Sequence, residues 1–269
     1  MADASGANDG SHVMAAPLNG KHALVTGAGR GIGAAIAERL VAEGARVTLL
    51  GRNAAVLEAL ASKLGAAAQT ATADVADAQQ MRAAVQSASE RFGAVDLLIN
   101  NAGQAKSAPL HKMDDALWAG MLAVNLTGTY NGVRAVLPAM LERNFGRIVN
   151  VASTAGLVGY PYVSAYCAAK HGVVGLTRAL ALEVAGRDIT VNAVCPGYTD
   201  TDIVRDTIKN ISAKTGRSES EALATLVAHN PQRRLIRPEE VANTVAWLCL
   251  PGSESITGQS IAVAGGEVM

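Results

Sequence analysis

The sequence predicts an α/β protein in which a doubly wound parallel sheet of about seven strands carries helices on both faces. Short apolar runs alternate along the chain with longer segments in which apolar residues recur every three or four positions. This alternation indicates successive βαβ units, whose right-handed crossovers cover both faces of a parallel sheet. Because the chain has 269 residues and no change of composition beyond Leu18, we expect a single domain.

The predicted domain covers residues 18–269. Residues 1–17 are small and polar and have neither the basic nor the apolar region of a signal peptide, so they are predicted to be a disordered tail. Residues 200–235 interrupt the alternation and are predicted to form a helical insertion within the domain.

The predicted strands are short runs rich in Val, Ile, Leu and Ala, as is typical of strands that are buried on both faces. The third of them is the weakest because its residues are small or polar. In chain order they are His22–Thr26, Ala45–Leu50, Ala67–Ala73, Val95–Ile99, Gly146–Val151, Ile189–Val194 and Gln259–Val263.

The predicted helices show apolar residues on one side, as Ile32, Ile36 and Leu40 do in the first of them. Each follows a strand, as the βαβ pattern requires. They are Gly31–Glu43, Ala54–Leu64, Ala78–Arg91, one long helix over Asp114–Arg143, Ser164–Ala185 and Pro238–Leu250.

Composition excludes several classes of function. Lys and Arg total 23, as do Asp and Glu, and this zero net charge gives no electrostatic footprint for nucleic acid or for an anionic membrane. The sequence has no run of 18 apolar residues that could span a membrane. Three widely spaced cysteines and five histidines show no metal-ligand spacing, so we expect no metal site and a reduced, cytoplasmic protein.

A glycine-rich turn lies between the first predicted strand and the first predicted helix. It reads Thr26-Gly-Ala-Gly-Arg-Gly-Ile-Gly33, with the spacing T-G-x-x-x-G-x-G rather than the commoner G-x-G-x-x-G. Glycines let the backbone approach a pyrophosphate closely, and the helix offers free N–H groups and a positive dipole end. The alternative is a strand–helix turn that binds no ligand.

Four further motifs accompany this turn in chain order. Asn100–Gly103 reads N-N-A-G after the fourth predicted strand, Ser153 follows the fifth, Tyr166 and Lys170 share a helix, and Pro196–Gly197 follows the sixth. Together with the glycine turn, these motifs resemble the short-chain dehydrogenase/reductase family over the whole predicted domain. The resemblance implies a Rossmann-like fold and an NAD(P)-dependent oxidoreductase.

The end of the second predicted strand bears on the choice of cofactor. Gly51 stands where an acidic residue usually binds the ribose of NAD, Arg52 follows it, and Arg30 lies in the glycine turn. Two guanidinium groups without a carboxylate suit a 2′-phosphate, so NADP(H) is the expected cofactor and NAD(H) remains possible. Each arginine could instead be a solvated surface charge. The resemblance implies that Asp74 and Val75 contact the adenine, although Asp74 could simply cap the next helix.

The resemblance also implies a fuller set of cofactor contacts. In it, Thr201 bonds the nicotinamide carboxamide, and Thr199 meets it through the backbone. The expected cofactor-binding residues are Gly27, Arg30, Gly31, Ile32, Gly33, Arg52, Asp74, Val75, Asn101, Ala102, Gly103, Val124, Tyr166, Lys170, Pro196, Gly197, Thr199 and Thr201.

Tyr166 and Lys170 are four residues apart on a predicted helix and therefore project from one face. A nearby ammonium stabilises a phenolate and is expected to lower the tyrosine pKa, which suits general acid–base catalysis. Such a pair on its own is ordinarily structural. The resemblance implies that Tyr166 is the acid–base group, that Ser153 hydrogen-bonds the substrate oxygen, and that Asn125 holds a water that links Lys170 to solvent.

These expectations lead to an NADPH-dependent reductase that acts on a ketone. Its substrate cleft would be formed by residues 104–109, by the apolar loop 156–163 and by the insertion as a lid. The chain is broadly similar to 3-oxoacyl carrier-protein/CoA reductases and polyketide ketoreductases, so a 3-oxoacyl thioester is the expected substrate class. The alternatives are an NAD(P)+-dependent secondary-alcohol or 3-hydroxyacyl-CoA dehydrogenase and a non-catalytic nucleotide-binding protein. A homotetramer or a dimer is implied by resemblance.

Overall fold

The structure is a computed structural model that describes residues 16–269. Most of the predicted disordered tail, residues 1–15, lies outside the described residues. The first described residues form a turn, in which the Asn19 N–H donates to the Ala16 carbonyl over 2.8 Å and the Leu18 N–H donates to the Glu43 carbonyl over 2.9 Å. The described chain is therefore fixed to the domain from Ala16 onwards.

Seven strands form one sheet in which every pairing is parallel, and the order is β3-β2-β1-β4-β5-β6-β7. The order changes direction between β1 and β4, which opens a crevice at the carboxyl ends of these two strands. The strands are β1 His22–Thr26, β2 Arg46–Gly51, β3 Ala68–Thr72, β4 Leu97–Asn100, β5 Phe145–Val151, β6 Asp188–Pro196 and β7 Ser260–Val263. The predicted doubly wound parallel sheet is confirmed.

Helices cover both faces of this sheet, and each face has its own apolar core. One core joins the inner sides of α1, α2 and α9, and the other joins α3, α5 and α6. The α-helices are α1 Gly31–Ala42, α2 Ala54–Leu64, α3 Ala78–Phe92, α4 Asp115–Leu122, α5 Gly128–Arg143, α6 Ser164–Glu183, α7 Asp202–Thr215, α8 Glu219–Val227 and α9 Pro238–Trp247. No helix within residues 16–269 is both long enough and apolar enough to cross a membrane.

The single long helix predicted over Asp114–Arg143 is wrong in one respect, because a π-helical segment at Ala123–Thr127 separates α4 from α5. A wider turn leaves backbone carbonyls without their usual partners. Side chains supply them: Asn125 Nδ2 donates to the Met121 carbonyl over 3.0 Å, and the Thr129 hydroxyl donates to the Asn125 carbonyl over 3.1 Å. The segment brings Asn125, which is fully buried, towards the crevice.

Residues 200–235 contain α7 and α8, which pack on each other through a small apolar cluster of their own. A parallel bridge between Thr199 and Ile236 closes the base of this insertion. Because the cluster is separate from the two main cores, the insertion meets the domain mainly at its base and at the crevice.

Candidate active site

The glycine turn follows β1 and leads into α1. Gly27 and Gly31 have φ values of +64° and +54°, a region that favours glycine. A Cβ on Gly33 would lie 2.5 Å from Asn101 Nδ2 and closer still to the Gly27 carbonyl oxygen. The turn therefore needs glycine at these positions to bring α1 tightly against the ends of β1 and β4.

The amino end of α1 offers unused donors to the crevice. In the described part of the chain, α1 begins without a side-chain cap at Arg30 and without an acidic residue in its first turn. Its first N–H groups and the positive end of its dipole are consequently available to an anion. This donor set fits the pyrophosphate of a dinucleotide.

Asn101, the first residue after β4, stabilises the glycine turn through hydrogen bonds. Its Nδ2 donates to the carbonyls of Thr26 and Gly27 over 2.9 and 3.2 Å, and its backbone N–H donates to the Thr26 hydroxyl over 2.9 Å. The Ala102 N–H donates to the same hydroxyl. The Asn101 side chain thus shapes the turn. Thr26, to which the sequence assigns no role, is the acceptor that joins the two motifs.

The two arginines expected to select the cofactor each have a carboxylate nearby. Arg30 lies 3.4 Å from Asp202 at the start of α7, and Arg52 lies 4.0 Å from Asp74 after β3. Both guanidinium groups are about three-quarters exposed, at 75% and 73%, so these pairs are weak and leave the arginines able to bind a phosphate. The sequence predicts two arginines without a carboxylate. The end of β2 indeed carries Gly51 and no acidic residue, but each arginine has an aspartate from another part of the chain beside it.

Asp74 does not cap α3, because Asp77 accepts the N–H groups of Gln79 and Gln80 there. Asp74 instead accepts from the Ala76 N–H over 2.9 Å. The alternative interpretation of Asp74 as a helix cap is therefore wrong.

Lys170 lies in α6 below the end of β5. Its Nζ donates to the Val151 carbonyl over 2.8 Å and lies 5.7 Å from the centroid of the Tyr166 ring. Only 4% of this lysine is exposed, and burial lowers its pKa to about 8. Lys170 and Tyr166 thus lie one helical turn apart on the same side of α6, as the four-residue spacing predicts.

Gly103 is the point at which Asn125 and Lys170 meet. A Cβ there would lie 2.9 Å from Asn125 Oδ1 and 3.7 Å from Lys170 Nζ. The Asn125 side chain is otherwise engaged with Gln104, whose N–H donates to Oδ1 over 3.2 Å and whose carbonyl accepts from Nδ2 over 2.9 Å. The π-helical segment, the N-N-A-G motif and α6 therefore converge on one position.

Ser153 and Tyr166 complete this group. Ser153 begins a short turn after β5, and its Oγ accepts from the Ala155 N–H over 3.1 Å. The neighbouring Ser153 hydroxyl lowers the pKa of Tyr166, but burial is the larger effect and the pKa is raised overall. The pKa of Tyr166 is therefore raised, not lowered as the Tyr/Lys spacing predicts, because burial disfavours the phenolate.

The segment after β6 lies beside the glycine turn. The Gly197 N–H donates to the Val263 carbonyl over 3.1 Å, and the buried Thr199 hydroxyl donates to the Gly197 carbonyl over 3.0 Å. A Cβ on Gly31 would lie 3.1 Å from the Thr201 methyl group. This segment thus borders the crevice where Thr201 packs against the glycine turn.

Two loops border the crevice on the side of Ser153. The Ala108 N–H donates to the Tyr162 carbonyl over 2.8 Å, which joins the loops that the sequence predicts around the substrate. Tyr162 is exposed and has a φ of +67°, a strained conformation for this residue type. The rings of Tyr160 and Tyr198 meet edge to face with their centroids 6.4 Å apart. Within residues 16–269, no cluster of three or more His, Cys, Asp or Glu forms a metal site.

Sequence reasoning missed Glu267, which accepts a hydrogen bond from the Tyr160 hydroxyl over 2.6 Å. Glu267 follows β7 in a short segment without helical or strand periodicity. A contact between residues 107 positions apart leaves no local pattern that could have indicated it.

Comparison with known proteins identifies the family. The family model for short chain dehydrogenase matches residues 21–212. The chain is 38% identical over 252 residues to 3-oxoacyl-(acyl-carrier-protein) reductase of Vibrio harveyi, covering 94% of this chain and 99% of that protein. It is 40% identical over 257 residues to 2-(S)-hydroxypropyl-CoM dehydrogenase 3 of Xanthobacter autotrophicus, covering 94% and 98%.

A solved structure agrees with these relatives. The crystal structure of a tryptophan variant of actinorhodin polyketide ketoreductase with NADPH superposes with a TM-score of 0.88 at 42% identity, covering 92% of this chain and 97% of that one. The chain belongs to the short-chain dehydrogenase family and is an NAD(P)-dependent oxidoreductase that interconverts ketones and alcohols.

Proposed function

We propose that the protein reduces a ketone with NADPH and that Tyr166 is its general acid. The observation that supports this most directly is the convergence of Ser153, Tyr166, Lys170 and Asn125 at the crevice beside Gly103. The nicotinamide cofactor supplies the hydride when bound, and the protein's own groups orient the ketone and manage the proton.

Each residue of this group has a distinct part. Burial raises the pKa of Tyr166, so its hydroxyl is protonated near neutral pH and can donate its proton to the developing alkoxide. Ser153 donates a hydrogen bond to the same oxygen and polarises the carbonyl. Lys170, whose pKa lies near 8, is mostly charged at neutral pH and stabilises the phenolate that remains. Asn125 fixes Gln104 and the crevice wall beside Lys170, where a water would resupply the proton.

The cofactor would lie along the carboxyl edge of the sheet. Its pyrophosphate would meet the glycine turn and the open end of α1, and its nicotinamide would lie by Thr199 and Thr201. Arg30 and Arg52 support a preference for the 2′-phosphate of NADP(H), as does the NADPH of the similar ketoreductase. NAD(H) is the second choice. The other predicted contacts, including Ile32, Val75 and Val124, stay as predictions.

The substrate class we propose is a 3-oxoacyl thioester or a similar ketone. The relative from Vibrio harveyi is named as a 3-oxoacyl reductase and the similar structure is a polyketide ketoreductase, which supports this class. The loop 156–163 adds apolar and aromatic surface, and α7 and α8 would close over the crevice as a lid.

A second candidate is the reverse reaction, oxidation of a secondary alcohol or a 3-hydroxyacyl-CoA with NAD(P)+. The observation that favours it is the 40% identity to a relative named as a dehydrogenase of a secondary alcohol. The same four side chains would then act with Tyr166 as the base, and comparison of the two directions by nicotinamide absorbance decides which is faster.

Replacement of Tyr166 tests the mechanism. We expect Tyr166→Phe to lower kcat for ketone reduction by about 10²- to 10⁴-fold, because the ring remains and only the proton donor is lost. Tyr130→Phe is the matched control, since that side chain is exposed on α5 and lies outside both the group and the substrate loops. Full turnover by Tyr166→Phe would contradict the mechanism.

We further propose a homotetramer or a dimer that is located in the cytoplasm. Trp118 in α4, Tyr130 in α5 and Leu182 in α6 are 41%, 43% and 81% exposed, which leaves apolar surface on the helices expected to pair. All three cysteines are unpaired and buried, which fits a reducing compartment. Light scattering coupled to gel filtration gives the oligomeric state.

A further inference from the structure

A cluster of three side chains lies next to the catalytic turn and has no part in the mechanism above. The Tyr160 hydroxyl is 2.6 Å from Glu267 Oε1 and 2.9 Å from the Thr154 hydroxyl. A phenol has one proton and a carboxylate only accepts, so Tyr160 donates to Glu267 and the Thr154 hydroxyl donates to Tyr160. Burial, and next the hydrogen bond to Glu267, raises the pKa of Tyr160, so this proton is retained.

The cluster joins three distant parts of the chain at the crevice. Thr154 is buried in the turn that begins at Ser153, Tyr160 belongs to the loop 156–163, and Glu267 follows β7. The second carboxylate oxygen of Glu267 packs on the end of β6, since a Cβ on Gly197 would lie 2.9 Å from it. Glu267 therefore lies between the segment after β6 and the loop 156–163.

The position of Glu267 is fixed by the two glycines that precede it. Gly265 and Gly266 have φ values of +62° and +90°, and they lie against the end of the lid insertion. A Cβ on Gly265 would lie 2.8 Å from Asn230 Nδ2, and one on Gly266 would lie 3.3 Å from Pro231. Such close packing holds the backbone that presents the carboxylate.

The turn that carries Ser153 is held from two sides. On one side, a Cβ on Gly156 would lie 2.8 Å from the Lys170 carbonyl oxygen, so the turn rests on α6. On the other side, two side-chain hydrogen bonds, from Thr154 to Tyr160 and from Tyr160 to Glu267, tie the turn to the segment after β7. If this second anchor is lost, the Ser153 hydroxyl is free to move relative to Tyr166.

We propose that Glu267 is a positioning residue: through Tyr160 and Thr154 it holds the Ser153 turn, and so sets the geometry at the substrate carbonyl. The inference rests on the proposed function for its catalytic consequence. It adds a charged residue that never meets the substrate oxygen yet controls the group that does. An error of about 1 Å in such a group can cost up to 10²-fold in rate.

The test compares Glu267→Ala, Glu267→Gln, Tyr160→Phe and the double variant Glu267→Ala/Tyr160→Phe with the native protein. Glu90→Ala on the exposed side of α3 is the control for loss of a carboxylate. Three quantities are measured: kcat and KM for a ketone, the Kd for NADPH by fluorescence titration, and hydrogen exchange at the Ala155 and Gly156 amides, which bond to Ser153.

We expect Glu267→Ala and Tyr160→Phe each to lower kcat about ten-fold, and the double variant to be no slower than either. Glu267→Gln keeps an acceptor for Tyr160 and should restore kcat to within about three-fold of the native value. The Kd for NADPH should stay within about two-fold, and exchange at the two amides should accelerate about ten-fold in the slow variants only.

Other results would overturn the proposal. These are a kcat for Glu267→Ala within two-fold of native, multiplicative losses in the double variant, or a Kd that weakens in step with kcat. If Glu267→Ala does not fold, Tyr160→Phe and Glu267→Gln decide, because only the former should be slow. If no variant or native protein turns over a ketone, the proposed function fails. Amide exchange in the Ser153 turn then still decides the role of Glu267.

Discussion

Replacing Lys170 by methionine should make the ligand-free protein more stable at neutral pH while it removes activity. Burial lowers the pKa of Lys170 from 10.5 to about 8, so keeping the ammonium in the fold costs about 3 kcal/mol below pH 8. Methionine is apolar and of similar length, and it avoids this cost. It also leaves the Val151 carbonyl without its donor, which costs about 1–3 kcal/mol. We expect a net gain of about 1 kcal/mol near pH 7.

The sign of this gain depends on pH. Between about pH 8 and 10.5 the native protein loses the Lys170 proton while the unfolded chain keeps it, so the native free energy of unfolding rises relative to that of the variant. The difference between the two proteins should therefore shift by about 3 kcal/mol over this range, and the native protein should be the more stable near pH 10.5. Tyrosines and cysteines that titrate in the same range are common to both proteins and cancel.

The assay is urea unfolding of both proteins at several pH values, with Lys209→Met as the control for an exposed lysine. A difference that does not change between pH 7 and 10.5 would refute the argument that Lys170 is held in the fold against its desolvation cost. A large loss of stability at pH 7 would show that the bond to the Val151 carbonyl outweighs burial.

Four further predictions address other parts of the site. Ser153→Ala should lower kcat by about 10²-fold at an unchanged Kd for NADPH. A kcat near the native value would show that Ser153 does not polarise the substrate carbonyl. Gly33→Ala should lower the free energy of unfolding by about 1–3 kcal/mol and weaken cofactor binding, because its Cβ would lie 2.5 Å from Asn101 Nδ2. Urea unfolding and fluorescence titration measure the two effects, and no change in either would show that the turn can relax. Gly51→Asp should change the ratio of kcat/KM for NADPH to kcat/KM for NADH by about ten-fold or more in favour of NADH, because the new carboxylate would repel a 2′-phosphate. The side chain can be accommodated, since its Cβ would lie at an ordinary 3.5 Å from Leu57. An unchanged ratio would contradict the cofactor assignment. Trp118→Glu should dissociate the oligomer in light scattering, and an unchanged mass would place the interface elsewhere.

The strands and most helix positions could be predicted because each buries one continuous apolar surface. The buried strands β1, β4 and β5 are the clearest examples. β3 gave the weakest pattern because it forms an edge of the sheet and carries exposed residues at Thr70 and Thr72. The boundaries of β4 shifted by one or two residues, since Val95 is buried like the strand that follows but the paired residues begin at Leu97.

The candidate site was predictable where its residues form local motifs, as they do in the glycine turn and in the Tyr166/Lys170 pair. The π-helical segment was not, because the apolar pattern on either side of Asn125 is also compatible with one continuous helix. The partners of Arg30 and Arg52 come from Asp202 and Asp74, which are distant or unpatterned in sequence. Contacts of this kind depend on how the loops fold over the sheet, and local periodicity carries no record of them.

The π-helical segment also limits how the chain can be altered by insertion or deletion. An α-helix turns by about 100° with each residue, so the extra residue between α4 and α5 sets the angular phase of one helix against the other. Removing a single residue from Ala123–Thr127 would restore a regular helix. It would also rotate either the outer face of α4 or the buried face of α5 out of place. A redesign of this protein can therefore exchange side chains along these helices, but it has to keep their residue count.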